Sequence, residues 1–253
     1  HDFGWIADHL PAEGVSFRDV TEDWGTLSLM GPKARDILAK VTSDDVSNAA
    51  LPFGSAREIT IAGIPTRALR VTYVGELGWE FYCPTEYGLR LWDTLWEAGA
   101  PEGMVAGGYK AIDTLRLEKG YRYWSGEISP DYTPYEAGLG FAVKLDKANF
   151  TGKDALVKQK AEGIKRKLCT LTLADDRTIV LGKEPIRSGD KIVGWVASGG
   201  FGYSVNKSIA YAYLPMEYAK VGTALQVECF GEQVGAEVAQ AVLWDPKAER
   251  IRQ

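Results

Sequence analysis

Tyr73 and Glu80 are the residues of this chain whose types and spacing best suit ligand chemistry. They bound the stretch Tyr73-Val74-Gly75-Glu76-Leu77-Gly78-Trp79-Glu80. Strand-like runs, Arg67 to Tyr73 and Trp79 to Cys83, flank it, and Gly75 and Gly78 bracket the join, so it reads as a hairpin with a loop longer than two residues. If Tyr73 and Glu80 are cross-strand neighbours, a phenol and a carboxylate leave one face of the sheet together. A carboxylate accepts from two adjacent N–H groups at once, a geometry both strong and specific. A planar heterocycle with neighbouring N–H donors, such as a pterin edge, meets that requirement. On the residues alone the plainer alternative stands beside it: an ordinary glycine turn with Glu76 and Glu80 solvated and Trp79 in the core.

Composition narrows the remaining chemistry. The 253 residues are 45% hydrophobic and 25% charged, with net charge −5 and a pI near 5.3. This is the profile of a globular chain long enough to bury a sizeable core. Its longest basic run is Lys165-Arg166-Lys167, which gives no footprint for nucleic acid. No apolar run approaches ~18 residues, so no membrane span is predicted, and no signal peptide is visible. His1 and His9 are the only histidines. A Ser-His-Asp triad, a Cys-His pair or a histidine metal site in the body of the chain is therefore excluded. Acid–base chemistry falls to carboxylates, Tyr, Lys or the substrate. Cys83, Cys169 and Cys229 lie far apart in strand-like runs and read as buried free thiols of a reducing compartment. The eight Trp and twelve Tyr serve equally for core filling and for lining a slot for a flat ligand.

These residues must be positioned by an α+β region followed by an all-β one. Helices are predicted at Trp5–Leu10, Lys33–Val41, Thr85–Gly99 with Thr85 as N-cap, Val105–Glu118 stopped by Gly120, and Lys153–Lys160. Strands are predicted at Val15–Val20, Gly25–Met30, Ile59–Ile61 and Phe141–Leu145, with a turn at Gly63-Ile64-Pro65. Tyr121–Gly140 reads as a long loop rich in Tyr, Glu, Pro and Gly, of the kind that tends to carry function in a compact domain. The charged stretch Gln159–Lys167 is the linker candidate. Beyond it, Leu168–Leu173, Ile179–Leu181, Lys191–Ser198, Ile209–Leu214, Ala224–Phe230 and Glu232–Ala239 are short, evenly spaced strands. They predict an antiparallel barrel or sandwich of about 85 residues.

Four blocks in order carry a family resemblance. Tyr73-Val74-Gly75-Glu76-Leu77-Gly78-Trp79-Glu80 is followed by Asp113-Thr114-Leu115-Arg116-Leu117-Glu118-Lys119-Gly120, by Thr133-Pro134-Tyr135-Glu136-Ala137-Gly138-Leu139-Gly140, and by Asn149-Phe150-Thr151-Gly152-Lys153-Asp154-Ala155-Leu156. Across essentially its whole length the chain resembles the aminomethyltransferase family, the glycine cleavage T-protein and its folate-dependent relatives. The Leu-Glu-Lys-Gly-Tyr wording and the ending Trp244-Asp245-Pro246 resemble most the C-terminal folate domain of dimethylglycine and sarcosine dehydrogenases and oxidases.

The resemblance implies a fold and a function. Residues 1–160 become an N-terminally incomplete aminomethyltransferase-like folate-binding region, and residues 161–253 a C-terminal β-barrel domain. Tetrahydrofolate is the implied cofactor, contacted by Tyr73, Glu80 and Phe141, with Glu80 on the pterin edge. The implied reaction captures a carbon from an N-methyl amine such as dimethylglycine or sarcosine as 5,10-methylenetetrahydrofolate. No Gly-x-Gly-x-x-Gly fingerprint follows a strand, so FAD is expected only in a separate flavin domain or subunit. The implied setting is the bacterial cytoplasm or the mitochondrial matrix. Two departures stand out. Several T-proteins carry a folate-contacting Arg where this chain has Ile112, which leaves Lys110, Arg177, Arg187 or Lys207 as alternatives for an anionic tail, or no replacement at all. The family's catalytic Asp lies upstream of the matched segment, so the catalytic residue is unknown here, and Asp19, Asp23 and Asp113 are not promoted to replace it. Arg116 and Glu118 are expected to form a structural ion pair. The alternative function is a non-catalytic regulatory or assembly module on the same scaffold. The iron–sulfur-assembly and tRNA-modification relatives rank last, because Lys119-Gly120-Tyr121-Arg122-Tyr123-Trp124-Ser125-Gly126-Glu127 lacks their cysteine.

Overall fold

A computed structural model describes Asp2–Gln253. By its contacts the chain forms two units, one of residues up to Val71 with Leu77–Val105, the other of Thr72–Glu76 with Ala106–Gln253. The stretch from Tyr73 to Glu80 is thereby divided between them.

The first unit is built on a four-stranded antiparallel sheet. Its strands are β1 (Trp24–Met30), β2 (Ala56–Ile61), β3 (Ile64–Leu69) and β4 (Gly78–Pro84), in the order β1-β4-β3-β2. Alternation decides its faces. Trp79, Phe81 and Cys83 of β4, with Ile64 and Ala68 of β3 and Leu29 of β1, are buried beneath α2 (Ala34–Ala39) and α3 (Gly88–Gly99). The even-numbered positions Glu80 and Tyr82 take the opposite face and stay half-buried. β2 and β3 join through the two-residue turn Ala62-Gly63, with φ of 46° and 79°, between paired Ile61 and Ile64. This is the left-handed pair that matches strand twist, and it places the turn before Pro65 rather than around it.

Several predicted boundaries move. β3 ends at Leu69, not Tyr73: the Arg70 N–H still reaches the Ser55 carbonyl (2.9 Å), but the Ser55 N–H turns to the Pro52 carbonyl and the Arg70 carbonyl is taken by Gly54, so the ladder is not continued. Val15–Val20 forms no strand and joins no ladder among the described residues. Thr85 caps no helix; it opens a 3₁₀ turn and its hydroxyl donates to the Glu22 carbonyl. The N-terminal helix α1 (Asp2–Asp8) buries none of its side chains.

The second unit holds α4 (Tyr109–Lys119), α5 (Lys153–Glu162) and a closed six-stranded antiparallel barrel. The barrel strands are β5 (Arg166–Leu173), β6 (Pro185–Ser188), β7 (Lys191–Gly202), β8 (Lys207–Pro215), β9 (Ala224–Cys229) and β10 (Glu232–Val238), ordered β10-β5-β8-β7-β6-β9. Closure pairs every strand and leaves no edge. β8 is buried on both faces: Ala210, Ala212 and Leu214 fill the barrel, while Ile209, Tyr211 and Tyr213 pack outward with Leu117 of α4. Gly120 ends α4 at φ 80°, as predicted. Four expectations fail here. β6 lies where no strand is predicted. Ile179–Leu181 is not a strand, although Val180 is fully buried. Phe141 sits in a 3₁₀ turn (Gly140–Ala142) rather than a strand. The supposed linker is structured, since α5 runs to Glu162 and β5 begins at Arg166. The three cysteines are free and buried, and burial pushes the Cys169 thiol up to about 11, an inert thiol. Among the described residues no helix is long and apolar enough to cross a membrane.

Candidate functional site

In the first unit Glu80 stands in the middle of the sheet, paired with Ser28 on β1 and Leu69 on β3. Leu69, not Tyr73, is its cross-strand neighbour, so the expected Tyr73–Glu80 pair is not made. The strand is held stiffly. Trp79 is fully buried next to it, with the Arg70 guanidinium 5.4 Å from its ring centroid. Gly78 pairs with Met30 so closely that a Cβ there would collide with the Leu29 carbonyl and Met30. Glu80 therefore leaves a fixed backbone.

The Tyr82 hydroxyl, two residues on and on the same face, donates to Glu80 Oε2 at 2.9 Å. Burial, then the bond to the carboxylate, pushes the Tyr82 phenol above its ordinary value, so it stays a donor at neutral pH. Glu80 Oε1 has no partner among the described residues. A half-buried carboxylate with one oxygen anchored and one open can receive paired N–H donors. Sequence reasoning missed Tyr82, though the i, i+2 rule of a strand was enough to find it.

In the second unit Tyr73 is half-buried. Its hydroxyl donates to the Arg122 carbonyl at 2.8 Å and its ring stacks on Tyr121 with centroids 6.0 Å apart. Thr72 Oγ1 accepts from the N–H groups of Val74 (3.2 Å) and Gly75 (3.1 Å), which coils the start of the stretch into a tight turn. Gly75 has φ 75°, and a Cβ there would lie 2.7 Å from the Lys119 side chain. Gly75→Ala is expected to cost about 1–3 kcal/mol. A thermal-unfolding scan of the variant matching the parent would show that this packing is dispensable.

Glu76 is not a solvated turn residue. Its Oε1 accepts from Arg250 Nε (2.6 Å) and Trp244 Nε1 (3.3 Å). Lys119 Nζ, buried, lies 2.9 Å from Asp245 Oδ2 and 2.6 Å from the Asp245 carbonyl oxygen. The Trp244-Asp245-Pro246 ending thus latches the turn that carries Tyr73. Burial raises the Asp245 carboxyl, but Lys119 and the amides of Glu249 and Arg250 outweigh it and hold it below the usual range. The folded value is depressed, so the contribution is complete above the ordinary Asp value of about 3.9 and is lost as pH falls through the folded value. Asp245→Asn should therefore be less stable than the parent at pH 7 and converge on it in acid. A constant gap from pH 7 to pH 2 in urea unfolding would refute the latch as an ionic one.

Arg116 does not pair with Glu118. It is buried and bound to Asp113 (2.7 Å) and Glu127 (2.9 Å), while Glu118 Oε1 accepts the Ser204 N–H at 2.7 Å. Glu127 is fully buried and also accepts the Tyr123 N–H and the Ser198 hydroxyl. Phe141 is 76% exposed. Ile112 is half-buried, Lys110 is exposed and Arg187 is tied to Glu228 at 2.7 Å.

The GCVT N-terminal domain model matches residues 1–147, and the glycine cleavage T-protein C-terminal barrel domain model matches residues 166–245. The chain belongs to the glycine cleavage T-protein family. It is 40% identical over 257 residues to the mitochondrial dimethylglycine dehydrogenase of Rattus norvegicus, covering 100% of this chain and 30% of that protein. It is 40% identical over 243 residues to the mitochondrial sarcosine dehydrogenase of Mus musculus, covering 92% and 26%. The crystal structure of the glycine cleavage system aminomethyltransferase T from Bartonella henselae superimposes with a TM-score of 0.77 at 28% identity, over 90% of this chain and 60% of that one. This T-protein-family chain thus spans about 30% of the length of the dimethylglycine dehydrogenase it matches. It is an aminomethyltransferase-type domain with a closed antiparallel barrel, related to dimethylglycine and sarcosine dehydrogenases.

Proposed function

We propose that this chain is a tetrahydrofolate-dependent one-carbon transfer domain of a larger flavin-dependent demethylating enzyme. Its carbon comes from an N-methyl amine of the dimethylglycine or sarcosine type. The observation that carries the reading is Glu80, a carboxylate on a rigid central strand, anchored through Oε2 by Tyr82 and open at Oε1. That acceptor fits the adjacent N–H groups of a reduced pterin. The chemistry such a folate supplies when bound is capture of a one-carbon unit as 5,10-methylenetetrahydrofolate.

The residues of this chain bind and orient. Glu80 fixes the plane and direction of the heterocycle, and a reactant held in register gains a large effective concentration. Tyr73 and Phe141 are proposed as further folate contacts on the family resemblance, and residues 1–160 and 161–253 as the folate-binding region and the barrel domain. FAD belongs to a separate domain or subunit, and the setting is the bacterial cytoplasm or the mitochondrial matrix. Titration of the full chain with folinic acid, followed by tryptophan fluorescence, is expected to give saturable binding. A flat titration to millimolar ligand would defeat the proposal.

A further inference from the structure

The Tyr73 hydroxyl is a single donor, and it is directed at the Arg122 carbonyl, 2.8 Å away. Burial above all pushes the Tyr73 phenol higher than its ordinary value, and Arg116 opposes this only in part, so the proton stays in place at neutral pH. With its donor committed, the phenol oxygen meets a ligand as an acceptor. Its direction is set by where the Arg122 carbonyl stands.

That carbonyl is held from across the loop. Arg122 lies two residues beyond Gly120, the end of α4, and its guanidinium reaches back to the Gly120 carbonyl and over to the Ala137 carbonyl, the latter 3.0 Å from Nε. Ala137 is itself fixed. Thr133 Oγ1 accepts the Glu136 N–H (3.2 Å) and Glu136 Oε2 accepts the Thr133 N–H (2.9 Å), a reciprocal capping box that coils residues 133–137. The Glu136 carbonyl accepts the Leu168 N–H of β5 at 2.8 Å, and Arg166 Nε donates to Glu136 Oε1 at 3.0 Å, so the turn is seated on the barrel. Gly138 makes room for the guanidinium: at φ 72° a Cβ there would lie 2.7 Å from Arg122 Nη2. Every side-chain bond of Arg122 goes to a carbonyl oxygen, and among the described residues no carboxylate pairs with it. A planar fork suits two carbonyls held at fixed angles better than a lysine's point charge does.

We propose that Arg122 is a positioning residue for the Tyr73 phenol. It carries the geometry of the barrel, through the Glu136–Ala137 turn, to its own carbonyl, and so fixes the direction in which Tyr73 presents an acceptor to an N–H donor of the ligand. The inference rests on the folate reading above, in which Tyr73 is a contact, and adds to it a residue that acts through Tyr73 rather than on the ligand.

The test is a double-variant cycle read by folinic acid titration of the full chain, with Tyr73→Phe, Arg122→Ala and the two combined. Each single variant is expected to bind about five- to tenfold more weakly, roughly what one hydrogen bond contributes. The double variant is expected to bind as Tyr73→Phe does, because a phenyl ring has no oxygen for Arg122 to aim. A residue that only supported the loop would multiply its loss with that of Tyr73→Phe, and that result overturns the proposal. Parent-like binding by Arg122→Ala overturns it as well. If Arg122→Ala does not fold, Arg122→Lys, which keeps the charge and can reach one carbonyl, carries the same cycle with an expected loss of about two- to fivefold. Parent-like binding by Tyr73→Phe removes the Tyr73 contact and this inference with it, while Glu80 stands. Failure of the parent chain to bind removes the folate reading itself, and the role of Arg122 falls with it.

Discussion

Glu80→Ala is expected to weaken folinic acid binding by about 100-fold or more, with the folded state scarcely affected. Each hydrogen bond to a charged acceptor contributes about 1.5–3 kcal/mol net, and the proposed edge contact has two of them. Losing both, at 1.4 kcal/mol per factor of ten, gives that magnitude. Glu80→Gln separates charge from shape. Its amide offers one acceptor oxygen and replaces the other with a donor that faces a donor, so an intermediate loss of about tenfold is expected. Stability should stay within about 0.5 kcal/mol of the parent, because Glu80 is half-exposed and the Tyr82 hydroxyl it releases can turn to water. Fluorescence titration reads the affinity and urea unfolding the stability. Parent-like affinity in Glu80→Ala would remove this carboxylate from the site.

Glu127→Ala should have the largest effect on folding, about 3–5 kcal/mol. Glu127 is fully buried and is the inner partner of Arg116, which is 2% exposed. Burial alone disfavours the Arg116 charge, and it is the Glu127 carboxylate above all that reverses this and holds the guanidinium firmly protonated. Removal of the carboxylate strands that charge, leaving only Asp113 at the rim, and also orphans the Tyr123 N–H and the Ser198 hydroxyl. The loss is large against a total stability of about 5–15 kcal/mol. Replacing both partners by apolar residues of similar volume, Arg116→Met with Glu127→Leu, should recover much of it, because no buried charge is then left alone. Denaturant unfolding followed by circular dichroism decides the matter. A single-variant cost below about 1 kcal/mol would mean that water or another group replaces the carboxylate.

The two expectations differ in how they came to be visible. Although the proposed role of Glu80 as a ligand rests on the family resemblance, its place on a strand was legible in the sequence because a strand's period of two and a bracketing glycine are local properties, written in adjacent residues. So were the α-helices, stopped where Gly120 takes a left-handed φ, and the barrel, whose short strands recur at even spacing. The three buried thiols and the buried Trp79 followed from residue type and pattern alone. Tyr82 is equally local, two residues from Glu80 on the same strand face.

Tertiary structure decided what depends on partners distant in sequence. Tyr73 lies outside β3 because the ladder ends at Arg70, where Ser55 turns its N–H to Pro52 and Gly54 takes the Arg70 carbonyl, a choice that no window around Tyr73 contains. Glu127 carries no signal of its own in a loop of Tyr, Pro and Gly, yet it is fully buried because Arg116 and Ser198 converge on it from 11 and 71 residues away. Glu76 has a plain reading as a solvated turn residue and Lys119 has no local signal, until Arg250 and Asp245 are placed against them. The apolar pattern of a segment is set by its own residues and announces itself. The partner of a charge is chosen by the folded chain as a whole, and it decides whether that charge is a ligand, a latch or a solvated side chain.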